Sequence, residues 1–260
     1  VLYRFHQYIN EKKVSEFYHD ELNPKFWTKK TNKDGSIDWV FDKNIRKKLL
    51  KIADDFYSKF EDTIGKPKIV DIQLTGSLSN YNYSDYSDLD VHILVDFDKI
   101  DAPKKVLKSA IDGIRFIWNL RHDVKLRGHE VETYMQDEDE PHTASGLYSL
   151  MDDEWIVKPQ FDPPTVDPAD VQTKYEGIAS DIDKLESKLA KDKLPADQAK
   201  LLFSRANKLK DKIMKMRKEG LSEEGEFSVG NLAFKKLRNK GYIEKLIDTI
   251  SLAYDKIYSE

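Results

Sequence analysis

The sequence predicts an α+β protein in which a mixed β-sheet of roughly four or five strands is flanked by an N-terminal helical extension and an α-helical C-terminal domain. Three observations carry this. Apolar residues recur at three- and four-residue spacing towards both ends, the period shortens to two in the middle, and four prolines fall within Pro159 to Pro168. A stretch that stiff suits neither a helix nor a central strand, so a boundary is placed there. The resulting segments are 1–64, 65–160 and 161–260.

From the start, Arg4 to Tyr18 and Lys43 to Phe60 have helical spacing, the second with a buried stripe of Ile45, Leu49, Leu50, Ile52, Ala53, Phe56 and Phe60. Between them Asn23-Pro24 and Lys33-Asp34-Gly35-Ser36 mark a turn-rich stretch, and Gly65-Lys66-Pro67 ends the second helix. Ile69, Val70, Ile72 and Leu74 read as a strand. Leu89, Val91, Ile93 and Val95 alternate with Asp88, Asp90, His92 and Leu94 as another strand of the same sheet. Gly76 to Ser87, rich in Ser, Asn and Tyr, is a loop or a short helix start. Ala102 to Leu120 returns to helical spacing behind Asp101-Ala102-Pro103. His122 to Gln136 is extended, and Leu147 to Leu150 and Trp155 to Val157 flank an Asp152-Asp153 turn as a hairpin. Beyond the prolines, Ala169 to Leu189 and Ala196 to Met216 form an antiparallel helix pair, followed by helices Val229 to Asn239 and Tyr242 to Tyr258.

Composition narrows the function classes. Among 260 residues, 43 Lys and Arg stand against 47 Asp and Glu, a net charge of -4, so no global nucleic-acid footprint is present. The high charged fraction, 35%, fits solvated helix faces. With no Cys there is no disulfide, thiolate nucleophile or Cys-based zinc site. No apolar run approaches the ~18 to 20 residues of a membrane span, and no basic-then-apolar leader opens the sequence, so a cytoplasmic protein is expected. The first residue is not Met, which points to processing, a removed tag or a piece of a longer chain.

The chemistry concentrates in Leu74-Thr75-Gly76-Ser77 and, ten residues on, Asp88-Leu89-Asp90-Val91. Side chains two apart in a strand share a face, so Asp88 and Asp90 project together while Leu89 and Val91 pack behind them. Adjacent carboxylates repel unless a cation sits between them, and hard ions such as Mg²⁺ take carboxylate and phosphate oxygens together. Gly76 lets the backbone approach a phosphate, and the Ser77 amide and hydroxyl can both donate to it.

This pattern resembles the DNA polymerase β-like nucleotidyltransferase superfamily, whose signature is a hydrophobic residue, Gly, Gly or Ser, a gap of this size, then two carboxylates separated by one apolar residue. The match covers Leu74 to Val95, with support to about Gln136, and Leu74 to Phe97 looks most like predicted nucleotidyltransferases of tailed bacteriophages. The resemblance implies an ATP-binding or other nucleotide-binding transferase core that uses Mg²⁺ or Mn²⁺. A nucleoside triphosphate would lie on Gly76 and Ser77, and metal would be held by Asp88, Asp90 and a third acid from a later strand. His129-Glu130-Val131-Glu132 supplies that acid, Glu130 first and Glu132 second, although many members carry Asp there. Members often have a helical domain that closes over the sheet, which makes Ser228, Asn231, Lys235 and Arg238 candidates for the triphosphate or base. The implied reaction moves a nucleoside monophosphate to an acceptor hydroxyl of a protein, a tRNA end, a small molecule or a second nucleotide, with loss of pyrophosphate. The alternative is an inactive descendant acting as an interaction or assembly protein.

Other residues admit blander roles. His92 shares the aspartate face but fits a packed histidine, and His6, His19, His122, His129 and His142 show no metal spacing. Tyr81, Tyr83 and Tyr86 suit base stacking and the cover of a domain edge equally. Asp137 to Glu140 reads as a solvated turn.

Overall fold

The computed structural model describes residues 18–60, 65, 67–142, 144–162, 166–190 and 194–259. It is an α+β fold in two compact units, Phe17–Asp162 and Pro163–Glu260. The expected helix over Arg4 to Tyr18 falls almost wholly outside the described residues.

The first unit opens with a two-stranded antiparallel hairpin, β1 (Trp27–Thr31) and β2 (Ile37–Phe41), in place of the expected turn-rich connection. The Asn32 to Ser36 turn closes it, with Gly35 at φ 83. Helix α1 (Lys43–Tyr57) follows, its N-terminus capped by the Asp42 carboxylate accepting from the amides of Asn44 and Ile45. Ile45, Leu49, Ala53 and Phe56 turn inward as the periodicity requires.

The hairpin and α1 share one hydrophobic core with the main sheet, so the division at residue 64 has no counterpart: among the described residues of the N-terminal segment, the hairpin and α1 are part of the core and not a helical extension. Its aromatics explain why. Trp27 stacks on Trp155 with ring centroids 4.5 Å apart and meets Tyr148 edge-on, while its Nε1 donates to the Leu78 carbonyl at 2.8 Å. Such pairs contribute ~0.5–1.5 kcal/mol each beyond their buried area.

The main sheet has six strands in the order β5-β6-β4-β3-β7-β8. They are β3 (Ile69–Thr75), β4 (Leu89–Val95), β5 (Lys125–Leu126), β6 (His129–Asp137), β7 (Leu147–Ser149) and β8 (Glu154–Val157). Only β4 and β6 pair in parallel, joined through helix α2 (Lys104–Arg121), so the sheet is mixed. Leu89, Val91, Ile93 and Val95 are fully buried, while Asp90 and His92 on the opposite face are half-buried. A two-residue turn, Arg127 at φ 52 and Gly128 at φ 89, joins β5 to β6. Positive φ at both positions matches the twist of a tight hairpin.

The second unit is helical: α3 (Pro168–Leu189), α4 (Ala196–Glu223), α5 (Val229–Asn239) and α6 (Tyr242–Tyr258). Ile182, Leu189, Leu202, Ala206, Ile213, Leu237 and Ala253 build its own core. Helix α4 runs seven residues beyond Met216, to Glu223. Among the described residues no helix is long and apolar enough to cross a membrane.

Candidate functional site

Strand β3 ends at Thr75, which pairs with Asp90 of β4, and Asp90 pairs on its other side with Glu132 of β6. Registered neighbours share a face, so Thr75, Asp90 and Glu132 form one row across three strands, and Asp88 immediately precedes β4. The next row is Gln73, His92 and Tyr134. A parallel pair at this register brings two carboxylates onto neighbouring strands about 4.8 Å apart, an unfavourable placement for like charges in the absence of a cation.

Gly76 follows Thr75 with φ 76 and ψ -166, a conformation open essentially to glycine alone. A Cβ at this position would overlap the Asp90 carboxylate. The backbone therefore lies against the acid with no side chain between them. Ser77 begins a 3-10 turn (Ser77–Ser79), and its hydroxyl donates to the Ser87 hydroxyl at 2.7 Å, tying the two ends of the loop together. Ser87 Oγ also accepts from the Ser84 amide at 2.9 Å.

His129, at the start of β6 and 1% exposed, holds the segment before Asp88 in place. One of its ring nitrogens, Nδ1, donates to the Ser87 carbonyl at 2.7 Å, and the other accepts from the Lys25 ammonium at 3.2 Å. The carbonyl can only accept and the ammonium can only donate, which fixes the tautomer. Its lack of metal spacing hid this role; the adjacency of His129 to Glu130 was the available signal.

Glu130 and Glu132 are both exposed but differ in surroundings. Glu130 pairs with Lys125 at 3.2 Å, which also holds Asp123 at 3.1 Å. Glu132 lies in the Asp90 row. A groove of about 200 Å³ runs beside both, lined further by Asn119, His122, Asp123 and Val124.

His92 is packed: Nδ1 donates to the Gln136 amide oxygen at 2.7 Å and the ring meets Tyr134 edge-on. Burial pushes its pKa below the ordinary imidazole value, so it is neutral at pH 7. Tyr81 is buried, with its hydroxyl 3.3 Å from Trp39 Nε1. Tyr83 stacks on His19 at 3.8 Å, and burial with nearby Asp20, Glu21 and Asp85 pushes its pKa up to about 12. Tyr86 is exposed. The acidic turn is anchored, since Asp137 is buried, accepts from Lys104 at 2.7 Å and caps the Phe97 amide.

In the second unit, Ser228 and Asn231 are buried and structural. Ser228 Oγ accepts from the Asn231 amide as the N-cap of α5, and Asn231 Nδ2 donates to the Glu226 carbonyl at 2.6 Å. That inward placement removes both from the surface a triphosphate would meet. Lys235 and Arg238 are half-buried on the same helix.

Among the described residues no three Asp, Glu or His side chains converge closely enough to hold an ion as they stand. The donor set nevertheless fits Mg²⁺ or Mn²⁺ in kind: oxygen only, with Asp90 and Glu132 registered on adjacent strands and Asp88 immediately before β4. No protein-family model, curated protein or solved structure matches this chain.

Proposed function

We propose that this chain is a nucleotidyltransferase of the polymerase β-like kind, moving a nucleoside monophosphate from a nucleoside triphosphate to an acceptor hydroxyl. One observation carries it: Gly76, in a glycine-only conformation, is packed directly against the carboxylate of Asp90, which itself is registered against Glu132. A loop start without a side chain beside a row of acids is what a polyphosphate approaching through its metal counter-ion needs.

In this proposal Gly76 and Ser77 seat the triphosphate through backbone amides, and the hydroxyl of Ser77 would exchange its bond to Ser87 for one to phosphate oxygen. Asp88, Asp90 and Glu132 would hold Mg²⁺ or Mn²⁺, which when bound neutralises phosphate charge and lowers the pKa of an attacking hydroxyl. The pairing of Glu132 with Asp90, and the ion pair of Glu130 with Lys125, favour Glu132 as the third acid. His129 and Lys25 are positioning residues, fixing the approach to Asp88. Most of the acceleration would come from orientation and charge stabilisation.

Titration calorimetry with each nucleoside triphosphate tests this. Binding that requires Mg²⁺ or Mn²⁺ and disappears in Asp90→Asn is the expected result; metal-independent binding, or none, defeats it. A second reading, an interaction protein that has lost catalysis, is favoured by the lack of three converging ligands among the described residues. It predicts that no triphosphate binds at any metal concentration.

A further inference from the structure

The charge balance of the whole chain conceals an uneven distribution along α4. Between Lys200 and Lys218, eight Lys and Arg stand against one acid, Asp211. At 3.6 residues per turn, Lys200, Arg205, Lys208, Lys212, Lys215 and Lys218 fall within an arc of about 140°, and all six are exposed. Ala199, Leu202, Ala206 and Ile213 lie roughly opposite and are buried, the last three in the core of the unit to which α4 belongs, so that unit's own packing fixes which way the basic face turns.

An ordinary solvated helix face alternates in sign. Helix α3 does so: Asp181 pairs with Lys184 at 3.4 Å, and Asp183 and Glu186 hold Lys245 of α6 at 2.8 and 2.7 Å. On the basic face of α4, Lys215 meets Glu219 at 3.4 Å, and the other five cations form no ion pair among the described residues. From Arg205 onward these cations follow one another at three- and four-residue steps, where like charges repel and weaken a helix. The row from Lys200 to Lys218 is ~27 Å long at 1.5 Å per residue. It stops where Asp170, Glu219, Glu223 and Glu224 enter the wall of a groove of about 830 Å³.

We infer that α4 binds the phosphate backbone of a nucleic acid. A polyanion relieves the repulsion along the row. A nucleic-acid strand carries one charge per ~3.4 Å of axis, more closely spaced than the ~4.5 to 6 Å rise between successive cations, so each cation can meet a phosphate. Charge and composition select this occupant over two others. A bilayer needs an apolar helix face to enter it, and the apolar side of α4 is used in the core of its own unit. A protein partner needs buried apolar anchors at the centre of its interface, and the arc carries no apolar side chain between Arg205 and Lys218. The inference is independent of the transferase reading, and its test uses neither metal nor triphosphate.

Fluorescence anisotropy of the full chain in chelator, with a labelled single-stranded RNA and a labelled DNA duplex of equal length, tests it. Wild type should bind one or both, with affinity falling steeply as salt rises. Arg205→Gln/Lys208→Gln/Lys212→Gln should weaken binding at least ~tenfold at low salt, and should reduce the slope of log affinity against log salt by ~2 for the single strand or ~3 for the duplex. These three positions are exposed and Gln is a good helix former, so circular dichroism should show an unchanged fold. Lys33→Gln/Lys59→Gln/Lys68→Gln removes the same charge from exposed, scattered positions of the first unit and should leave affinity within about twofold of wild type. No binding to either probe at low salt, or an equal loss in both triple variants, overturns the proposal. So does poly-glutamate of matched length bound as tightly as the nucleic acid, which would make this face a site for an acidic protein segment.

Discussion

Replacing Gly76 by Ala should be costly for two separable reasons. At φ 76 and ψ -166 any residue with a Cβ is strained by ~1–3 kcal/mol. In addition, the new methyl would overlap the carboxylate of Asp90, forcing that side chain out of its place. The second cost can be removed on its own. In an Asp90→Ala background the nearest remaining atom is the Cβ of residue 90, at 3.4 Å an ordinary contact, so only the backbone strain persists. Urea denaturation followed by tryptophan fluorescence should therefore show a larger penalty for Gly76→Ala in the wild-type background than in Asp90→Ala. The coupling should be ~0.5–3 kcal/mol, the range for residues in contact. Metal-dependent nucleotide binding should fall in Gly76→Ala as the carboxylate is displaced. A Gly76→Ala protein as stable as wild type would refute the strain, and equal penalties in both backgrounds would refute the packing of glycine on acid.

The remaining expectations follow from neighbouring contacts. Glu132→Gln should remove transfer activity, by several orders of magnitude if it is a metal ligand, while Glu130→Gln leaves most of it; kinetics on the pair decide, and the reverse order would make Glu130 the third acid. Asp90→Asn or Asp88→Asn should abolish transfer while circular dichroism shows an unchanged fold, and a variant as active as wild type would sink the metal-site assignment. Ser228→Ala should destabilise by ~1 kcal/mol through the lost helix cap, with nucleotide affinity unchanged by calorimetry. For Asp42, the backbone amides at the start of α1 and the Arg127 guanidinium hold its carboxyl below the ordinary carboxylate value. A depressed folded pKa gives stability that is present above the unfolded value and lost as pH falls through the folded one. The gap in melting temperature between wild type and Asp42→Ala should thus be full at pH 7 and shrink below the ordinary carboxylate range; a gap independent of pH would assign the whole effect to something other than charge.

Local features were legible in the sequence and register was not. The Gly76-Ser77 and Asp88-Leu89-Asp90 spacing is set within one strand-loop-strand segment, so alternation alone was enough to set Asp90 on the face opposite the buried Leu89 and Val91. That Glu132 and not Glu130 lies beside Asp90 depends on how β6 slides against β4, which is fixed by packing across a crossover helix and leaves no mark in either strand. The β1–β2 hairpin was hidden because its strands are five residues long and largely exposed, with Lys and Thr filling Trp27–Thr31. Its Trp27, Trp39 and Phe41, buried on one side, were the missed sign. Ser228 was readable as an N-cap, whereas the second bond from Asn231 to the Glu226 carbonyl depends on the turn before the helix and turned a surface candidate inward. Asp137 looked solvated in an acidic run, but Lys104 from α2 folds over it.

Transfer of label is the decisive measurement. The protein, with Mg²⁺ or Mn²⁺ and a cell lysate as the source of acceptors, is supplied with each nucleoside triphosphate labelled at either the α- or the γ-phosphate. Nucleotidyl transfer predicts that α-label becomes attached to an acceptor, that γ-label leaves as pyrophosphate, and that Asp88→Asn, Asp90→Asn and chelator each prevent the attachment. Attachment of γ-label, or equal α-labelling by wild type and the aspartate variants, would contradict a nucleotidyltransferase site at Gly76, Asp88, Asp90 and Glu132.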